Sequence, residues 1–388
     1  MCTESQADPH TPQSPTAAQA GDLAEAQRIA IVRLSALGDV VNTLPALTAL
    51  RRACPHAVIA WVCETVAAGV LEGHPLLDEL IVLDRKAWTR SLKHPLQAPG
   101  VLGKLRRFAS SLRARGFDAA IDFQGNLRSG VVTFSTRAPL RVGLARRHGK
   151  ELSYLLVNRR VDLPDGPLHR VERGLSIVAA LGIDTAQAAP VVPATDADRQ
   201  RIGALLEASG LADAPFAVVH AGTSAFGSYK KWPAERWAEV AARLQRDAGL
   251  PTLLTHGPSP RETEEVEAIA REAGDGTTVA PLLSLRELAE LFRRCRLFLS
   301  PDTGPMHLAS AAGAPVVALF GPKDPRVYGP YFGPRAIVEK PLDCRPCRKR
   351  SCDDPRCMLT ITPDDVTAAA AALIEQTTAG SAAPHPQS

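Results

Sequence analysis

Residues 297–307 read Leu-Phe-Leu-Ser-Pro-Asp-Thr-Gly-Pro-Met-His, an apolar run that breaks at Ser-Pro and resumes behind Asp-Thr-Gly. The pattern predicts a buried strand followed at once by a helix. A helix that begins there presents unpaired backbone N–H groups and the positive end of its dipole, an arrangement that suits a phosphate. The segment therefore indicates a phosphorylated ligand, although Asp302 or Thr303 could serve only as a helix cap and Gly304 only as a turn.

A second strand-to-helix turn lies near the start of the chain. Residues 28–34 read Arg-Ile-Ala-Ile-Val-Arg-Leu, residues 35–41 read Ser-Ala-Leu-Gly-Asp-Val-Val, and a helix is predicted from 43 to 52. The carboxylate of Asp39 is either a cap or a base above a cleft, and its small neighbours leave room for a substrate. Asp39 is accordingly the first candidate for a catalytic residue.

Short apolar strands alternate with amphipathic helices along the chain, which is typical of parallel sheets covered by helices on both faces. Strands are predicted at 29–34, 58–62, 80–83, 119–123, 141–144, 216–220, 252–255, 297–300 and 316–320. A proline-bearing connection at 188–195 separates the two halves, and a helix follows from about 197 to 209. We therefore predict an α/β fold of two doubly wound domains facing across a cleft, with ligands at the carboxyl ends of the strands.

The 388 residues suffice for two domains of ordinary size. The ends are rich in small and polar residues, so we expect a disordered arm at 1–26 and a disordered tail at 378–388. The remaining predicted boundaries are a first domain at 27–190, a second domain at 191–343, a cysteine-rich segment at 344–358 and a final helix at 359–377 that packs back towards the first domain.

The composition, 45% apolar and 22% charged, is that of a globular protein with no apparent membrane span. No secretory signal is evident, so the expected location is the cytoplasm, where the eight cysteines stay mostly reduced. The net charge of +4 is too small to indicate nucleic acid. The glycine fingerprints of dinucleotide dehydrogenases and of P-loop NTPases are both missing from the sequence.

Positive charge is concentrated in the first half. Residues 85–150 contain fifteen Lys or Arg but only two acidic residues, Asp118 and Asp122. A charge run is often only a solvated face. Its confinement to one domain instead favours an anionic partner or an anionic membrane surface.

Other candidates for the phosphorylated ligand lie in the second half. After the strand at 216–220, Thr223 and Ser224 supply hydroxyls, and Lys231 supplies a point charge suited to a leaving diphosphate. Glu262 follows the strand at 252–255 and suits ribose hydroxyls, although acidic residues in the first turn of a helix are also common for dipole reasons.

Several of these motifs together resemble the bacterial lipopolysaccharide heptosyltransferases of glycosyltransferase family 9. The resemblance runs from about residue 28 to residue 376. It rests on Arg-Leu-Ser-Ala-Leu-Gly-Asp-Val at 33–40, Lys-Trp-Pro at 231–233, Ser-Pro-Asp-Thr-Gly-Pro-Met-His at 300–307 and Leu-Phe-Gly-Pro at 319–322. It implies the GT-B fold, with two Rossmann-like domains, the first binding the acceptor and the second the nucleotide sugar.

The resemblance also implies an activity. This activity is the transfer of L-glycero-D-manno-heptose from ADP-heptose to the Kdo and heptose inner core of lipopolysaccharide, with inversion and without a metal or other cofactor. Asp39 matches the catalytic base. The residues that match the donor site are Thr223, Ser224, Lys231, Glu262, Asp302, Thr303, Gly304 and His307.

On the acceptor side, Asp-Phe-Gln-Gly at 122–125 and His-Arg-Val-Glu-Arg at 169–173 resemble family segments. The predicted acceptor-binding residues, which would contact the anionic lipid A/Kdo glycolipid, are Arg85, Lys86, Gln124, Arg128, His169 and Arg173. This partner implies a peripheral position at the inner face of the cytoplasmic membrane and would explain the excess of basic residues. Whether the first or the second heptose is added stays open.

Four cysteines, Cys344, Cys347, Cys352 and Cys357, have a spacing that could bind zinc or an iron–sulfur cluster. Neighbouring arginines and lysine could instead lower the thiol pKa values without a metal. We expect a structural cluster without metal.

Two alternative functions share the predicted architecture. A nucleotide-sugar 2-epimerase also opens a cleft onto a nucleotide diphosphate, but it has no use for a basic first domain. A non-catalytic sugar-nucleotide sensor would use Asp39 only as a cap and the basic face to dock a partner protein.

Overall fold

The computed structural model describes residues 23, 25–84, 98–223, 225–347, 349 and 351–381. Within them lie two sheets of six parallel strands each, with helices on both faces. The α/β fold with two doubly wound domains is therefore confirmed.

The first sheet has the strand order β3-β2-β1-β4-β5-β6. Its strands are β1 Arg28–Val32, β2 Val58–Glu64, β3 Glu79–Leu83, β4 Ala119–Asp122, β5 Leu140–Leu144 and β6 Arg159–Val161. Its helices are α1 Leu37–Val41, α2 Leu44–Ala53, α3 Thr65–Ala68, α4 Ala98–Arg113, α5 Leu127–Ser135 and α6 Arg170–Ala179. A short 3-10 turn at Ser153–Leu155 precedes β6.

The second sheet has the order β12-β11-β10-β7-β8-β9. Its strands are β7 Ala217–Val219, β8 Thr252–Leu254, β9 Thr277–Val279, β10 Leu297–Pro301, β11 Val316–Phe320 and β12 Arg335–Glu339. Its helices are α7 Asp196–Ala208, α8 Ala234–Ala248, α9 Pro260–Ala273, α10 Leu285–Arg294, α11 Gly304–Ala311, α12 Pro325–Tyr328, α13 Arg356–Leu359 and α14 Pro363–Ser381. A 3-10 turn at Ala225–Lys230 follows β7.

Both sheets share one topology. In each, the chain forms a central strand first, adds strands out to one edge, returns to the centre and then adds strands out to the opposite edge. The strand order reverses between β1 and β4 in the first sheet and between β7 and β10 in the second. Doubly wound sheets bind ligands at this reversal, outside the carboxyl ends of the strands. The fold therefore predicts a site at the ends of these four strands.

The two domains touch through the helices that follow β1 and β10. A Cβ atom on Gly38 in α1 would come within 2.4 Å of the His307 ring in α11, and a Cβ on Gly304 would come within 2.9 Å of the Leu37 side chain. Both glycines are needed for this close approach, since any side chain would push the helices apart. One apolar core runs through this contact, with buried residues from both domains.

All nine predicted strands are confirmed, with ends within about two residues. Three strands were not predicted: β6, β9 and β12. Each lies at a sheet edge, where one or both faces are open to solvent and the apolar pattern is weak.

The predictions for the chain ends need correction where the structure describes them. Leu23 and Ala26 are buried in the first core rather than part of a loose arm, and α14 continues to Ser381, beyond the predicted end at 377. The final helix was expected to pack towards the first domain. Its buried residues Val366, Ala370 and Leu373 instead pack against the second domain, because they complete the apolar face between α8 and the β11–β12 edge.

Among the described residues, we find no helix whose length and apolar character would let it span a membrane.

Trp232 anchors the second domain at the end of its 3-10 turn. The ring is buried, its Nε1 donates a hydrogen bond to the Ile361 carbonyl at 3.1 Å, and it meets the Trp237 ring edge-on at 4.8 Å between centroids. We expect Trp232→Ala to lower the free energy of unfolding by about 3–5 kcal/mol, through a cavity and a lost hydrogen bond. Urea denaturation followed by circular dichroism measures this effect.

Leu282→Ala is the matched control, because that side chain is half exposed and its loss should change stability by no more than about 0.5 kcal/mol. Equal stability of the two variants would contradict the assignment of Trp232 as an anchor.

Candidate active site

Asp39 lies in the first turn of α1, directly behind β1, and its carboxylate is paired with arginines. Arg33 Nη2 lies 2.7 Å from Asp39 Oδ1, and Arg170 Nε lies 3.8 Å from the same oxygen. Burial opposes the charge on Asp39, but Arg33 and Arg170 outweigh it and hold the pKa of the carboxyl below its usual value. The Asp39 side chain is about one third exposed, so an ionised carboxylate faces the cleft.

A cavity of about 440 Å³ opens beside Asp39. Most of its lining comes from the first domain, and Val327 and Tyr328 of the second domain close one side. The polar and charged residues that line it are Arg33, Ser35, Asp39, Gln124, Asn126, His148, Lys150, Arg170, Arg173 and Tyr328. The cavity is therefore polar and predominantly cationic.

Three arginines of this cavity have an Nε donor that makes no hydrogen bond to any described residue. The buried Nε atoms of Arg33, Arg170 and Arg173 make no hydrogen bond among the described residues. Burial, together with the positive charges of Arg170 and Arg33, lowers the pKa of Arg173 to about 10. Three guanidinium groups around one carboxylate leave positive charge uncompensated, which favours an anionic ligand.

Tyr328 brings the second domain into this cluster. Arg170 Nη2 donates to the Tyr328 hydroxyl at 3.0 Å, and the guanidinium carbon lies 4.9 Å from the centroid of the tyrosine ring. The orientation of Arg170, and with it part of the field at Asp39, thus depends on the domains staying together.

His307 faces Asp39 from the second domain. Asn42 Nδ2 lies 3.3 Å from His307 Nδ1, so this ring nitrogen accepts and Nε2 carries the proton. Burial lowers the pKa of His307 to about 4, despite the nearby carboxylates of Asp302 and Asp39. A neutral ring with a fixed Nε2–H is therefore available as a hydrogen-bond donor next to Gly38.

The Asp302–Gly304 turn starts α11 as predicted. Thr303 is the N-cap and accepts from the Met306 N–H at 3.4 Å, while its hydroxyl also meets that of Ser300 at 2.8 Å. The capping role of Thr303 is thus real. Because Pro305 has no N–H and the Met306 N–H is bonded to Thr303, the Gly304 N–H is the group at this helix start that can meet a phosphate.

Lys230, rather than Lys231, points to this turn. Lys230 Nζ lies 2.6 Å from Asp302 Oδ2, and both side chains are largely buried. Lys231 Nζ instead pairs with Glu265 and is 42% exposed. The sequence prediction of Lys231 is therefore corrected, because the 3-10 turn at Ala225–Lys230 directs adjacent lysines to different sides.

The two other described donor-side residues lie at the ends of β7 and β8. The hydroxyl of Thr223 is buried without a hydrogen-bond partner in the described structure. Glu262 Oε2 accepts from the Gly257 N–H at 2.8 Å and would lie 3.1 Å from a Cβ on Gly222, so it joins the two loops. Ser224 lies outside the described residues.

The predicted acceptor-side residues divide into two groups. Gln124 and Arg173 line the cavity, and Gln124 Oε1 accepts from the Leu34 N–H at 2.9 Å. Arg128 lies apart from it and pairs with Glu64 at 2.7 Å. Arg85 and Lys86 lie outside the described residues.

His169 has a different role from the one predicted. Its Nδ1 accepts from the Val171 N–H at 3.1 Å as the N-cap of α6, and its Nε2 donates to the Gly329 carbonyl at 3.0 Å. The ring also stacks on Tyr331 at 4.6 Å between centroids. With both nitrogens occupied, His169 links the two domains and has no free group for an acceptor.

The four cysteines of the predicted cluster carry free thiols, and only Cys357 is buried. Among the described residues no group of three or more His, Cys, Asp or Glu side chains has the arrangement of a metal site. Cys357 and Met358 pack closely against Gly321 behind β11, which is a structural contact.

Comparison with known proteins identifies the family of this chain. The model of the family "Glycosyltransferase family 9 (heptosyltransferase)" matches residues 105–357. The chain belongs to glycosyltransferase family 9. Lipopolysaccharide heptosyltransferase 1 of Pseudomonas aeruginosa is 32% identical over 328 residues, which cover 84% of this chain and 87% of the relative.

Two solved structures of this family have the same fold. The E. coli heptosyltransferase WaaC with ADP superimposes with a TM-score of 0.71 and 26% identity, covering 89% of this chain and 99% of WaaC. WaaC with ADP-2-deoxy-2-fluoro heptose gives a TM-score of 0.68 and 25% identity, covering 90% and 99%. The family 9 protein is thus a glycosyltransferase with the GT-B fold, a heptosyltransferase of the lipopolysaccharide core, and neither an epimerase nor a sensor.

The contrast between the adjacent lysines gives a direct test. In Lys230→Met the carboxylate of Asp302 is left buried and unpaired at the start of α11, so we expect kcat/KM for heptose transfer to fall by about 10²-fold or more. Lys231→Met removes only an exposed ion pair and should stay within about twofold of the wild type. Steady-state assays of both purified variants, with circular dichroism to verify folding, compare them. A greater loss in Lys231→Met would reverse the assignment.

Proposed function

We propose that this family 9 enzyme transfers L-glycero-D-manno-heptose from ADP-heptose to the Kdo and heptose inner core of lipopolysaccharide, with Asp39 as the general base. The observation that carries the proposal is the position of Asp39. Its carboxylate lines a cationic cavity in the first domain, and His307 of the second domain lies beside it.

The donor diphosphate is assigned to the turn before α11. The donors around this turn are the Gly304 N–H, the ammonium of Lys230, the unpartnered hydroxyl of Thr223 and the neutral Nε2–H of His307. Such a set stabilises negative charge on a departing diphosphate without a divalent cation. The choice of adenine and of heptose rests on the WaaC structures with ADP and with ADP-2-deoxy-2-fluoro heptose.

The anionic acceptor is assigned to the cavity beside Asp39. Arg33, Arg170 and Arg173 carry unpartnered buried Nε atoms, and guanidinium groups bind carboxylates and phosphates through paired hydrogen bonds. These groups suit the carboxylates of Kdo sugars and would hold an acceptor hydroxyl near Asp39. Gln124 and Lys150 lie on the same wall.

The reaction we propose is a single displacement. The acceptor oxygen attacks the anomeric carbon from the side opposite ADP, its proton passes to Asp39, and the bond to the phosphate oxygen breaks with its electron pair leaving on ADP. Attack on the opposite face inverts the anomeric centre. The lowered pKa of Asp39 keeps the base ionised, so proton transfer accompanies carbon–oxygen bond formation rather than preceding it.

The proposed location follows from the acceptor. A lipid-linked acceptor requires the enzyme to work at the surface of the inner membrane, on its cytoplasmic side, where the nucleotide sugar is available. The enzyme is proposed to meet that membrane peripherally.

Asp39→Asn tests the base directly. The amide keeps the size of the side chain but accepts no proton, so we expect kcat to fall by about 10²- to 10⁴-fold. Binding of ADP, measured by calorimetric titration with UDP and GDP as comparison nucleotides, should be unchanged and strongest for ADP. Transfer at the wild-type rate would overturn the role of Asp39, and equal binding of the three nucleotides would overturn the assignment of the donor.

The pH dependence tests the arginine pair. Arg33 and Arg170 hold the pKa of Asp39 below its ordinary value of 3.8. The kcat/KM of the wild type should therefore fall only below about pH 4. Removing one positive charge in Arg170→Met raises the pKa of the base. The acid limb should then move to higher pH.

Arg128→Met is the matched control, since Arg128 pairs with Glu64 outside the cavity and its loss should leave the limb in place. An acid limb that is the same in wild type and Arg170→Met would contradict the electrostatic role of Arg170.

A further inference from the structure

Exposed apolar side chains are concentrated on one side of the first domain. Nine large apolar residues are exposed among the described residues, and five of them lie on α4, α5 and the turn at 152–155. These five, which we call the apolar patch, are Leu105, Leu127, Val131, Leu152 and Leu155. Leu152 and Leu155 are 59% and 60% exposed, more than any other residue of the nine. The second domain contributes only Leu282 and Leu359 to the nine.

The three elements of the patch are neighbours. A Cβ on Gly130 in α5 would come within 2.9 Å of Leu156 Cδ1 and within 3.5 Å of Ser153 Cα, so α5 lies directly on the 3-10 turn. Helix α4 also contacts α5. Leu127 and Val131 are one helical turn apart and therefore share the outer face of α5.

Positive charge lies on the same elements as the patch and on the loop before its 3-10 turn. Exposed basic residues that have no ion pair with another described residue are Lys104, Arg106, Arg107 and Arg113 on α4, and Arg146 on the loop after β5. One carboxylate lies within the patch, that of Glu151, which accepts from the Leu127 N–H at 3.3 Å. Apolar side chains set among unpaired lysine and arginine are the composition of a surface that binds anionic lipid.

The patch adjoins the cavity of the active site. Asn126 and Lys150 line the cavity, and Lys150 N–H donates to the Gly125 carbonyl at 2.8 Å, which ties the two loops together. Leu127 follows Asn126 in the chain, and Leu152 lies two residues beyond Lys150. A headgroup held at the patch is thus next to the cavity entrance.

We propose that the apolar patch is the surface on which the enzyme docks to an anionic bilayer. Its leucines and valine enter the boundary between headgroups and acyl chains, while the neighbouring lysine and arginine side chains contact lipid phosphates. This inference rests on the proposed function for its substrate. A second copy of the chain is a poorer occupant, because a symmetric contact would bring the same positive charges face to face.

The test compares two double variants of the full chain. Leu152→Ser with Leu155→Ser removes the two most exposed leucines of the patch, and Leu282→Ser with Leu359→Ser removes two exposed leucines of the second domain as the matched control. Co-sedimentation is measured with vesicles of phosphatidylcholine alone and of phosphatidylcholine mixed equally with phosphatidylglycerol. We expect wild type and control to bind the mixed vesicles in a salt-dependent way, and the patch variant to bind at least about tenfold more weakly.

Transfer to a deacylated, water-soluble acceptor separates this proposal from the proposed function. The patch variant should retain wild-type transfer to that acceptor and lose transfer to acceptor in vesicles. Equal vesicle binding by patch variant and control overturns the docking surface, whatever the activity. A second result would also overturn the docking surface. In this result light scattering shows a wild-type dimer that only the patch variant loses, and wild type does not bind the vesicles. If the vesicles bind as expected but wild type transfers heptose to neither acceptor, the docking surface is supported and the proposed function is refuted.

Discussion

The close contact between α1 and α11 is the constraint on which the site depends. Gly38 leaves just enough space for the His307 ring, and Gly304 for the Leu37 side chain. Because neither position has a Cβ, the helix that carries Asp39 and the helix that follows the Asp302–Gly304 turn meet without a gap. The proposed base on one sheet and the proposed diphosphate-binding turn on the other then face the same small volume.

Electrostatics divides this volume into two parts. On the first-domain side, the arginines around Asp39 exceed its single negative charge and leave donors for an anion. On the second-domain side, Lys230 is neutralised by Asp302, and burial keeps His307 uncharged. The proposed donor turn therefore offers hydrogen bonds and one shared ammonium rather than a large positive field. The unbalanced buried charge lies on the first-domain side, which favours an anion at the proposed acceptor site.

The sequence predicted the sheets and the turns but not which neighbouring side chain would face the site. Central strands such as β1 and β10 are continuous apolar runs, whereas the edge strand β9 is only half covered and has a weak pattern. Lys230 and Lys231 are the same type of residue, so the sequence does not distinguish them. The 3-10 turn that ends at Lys230 determines which of the two side chains reaches Asp302. Arg170 and Tyr328 were missed as site residues, since their roles depend on contacts between segments more than 130 residues apart. Arg33 was missed although it lies only six residues before Asp39, because its position at the end of β1 does not show which way the side chain points. The cap formed by His169 could have been read from Glu172 three positions later, a pairing typical of a capping box.

The segment from α12 to Phe332 belongs to the second domain in sequence but completes the cavity beside Asp39 in the first. Tyr328 holds Arg170, the Gly329 carbonyl accepts from His169, and Tyr331 stacks on the same histidine ring. Separating the domains would withdraw one wall of the cavity and release Arg170 in a single movement. An open enzyme would therefore have a wider cavity entrance and fewer guanidinium groups around the cavity. A charged sugar would bind and dissociate more easily in this open form, which cannot react.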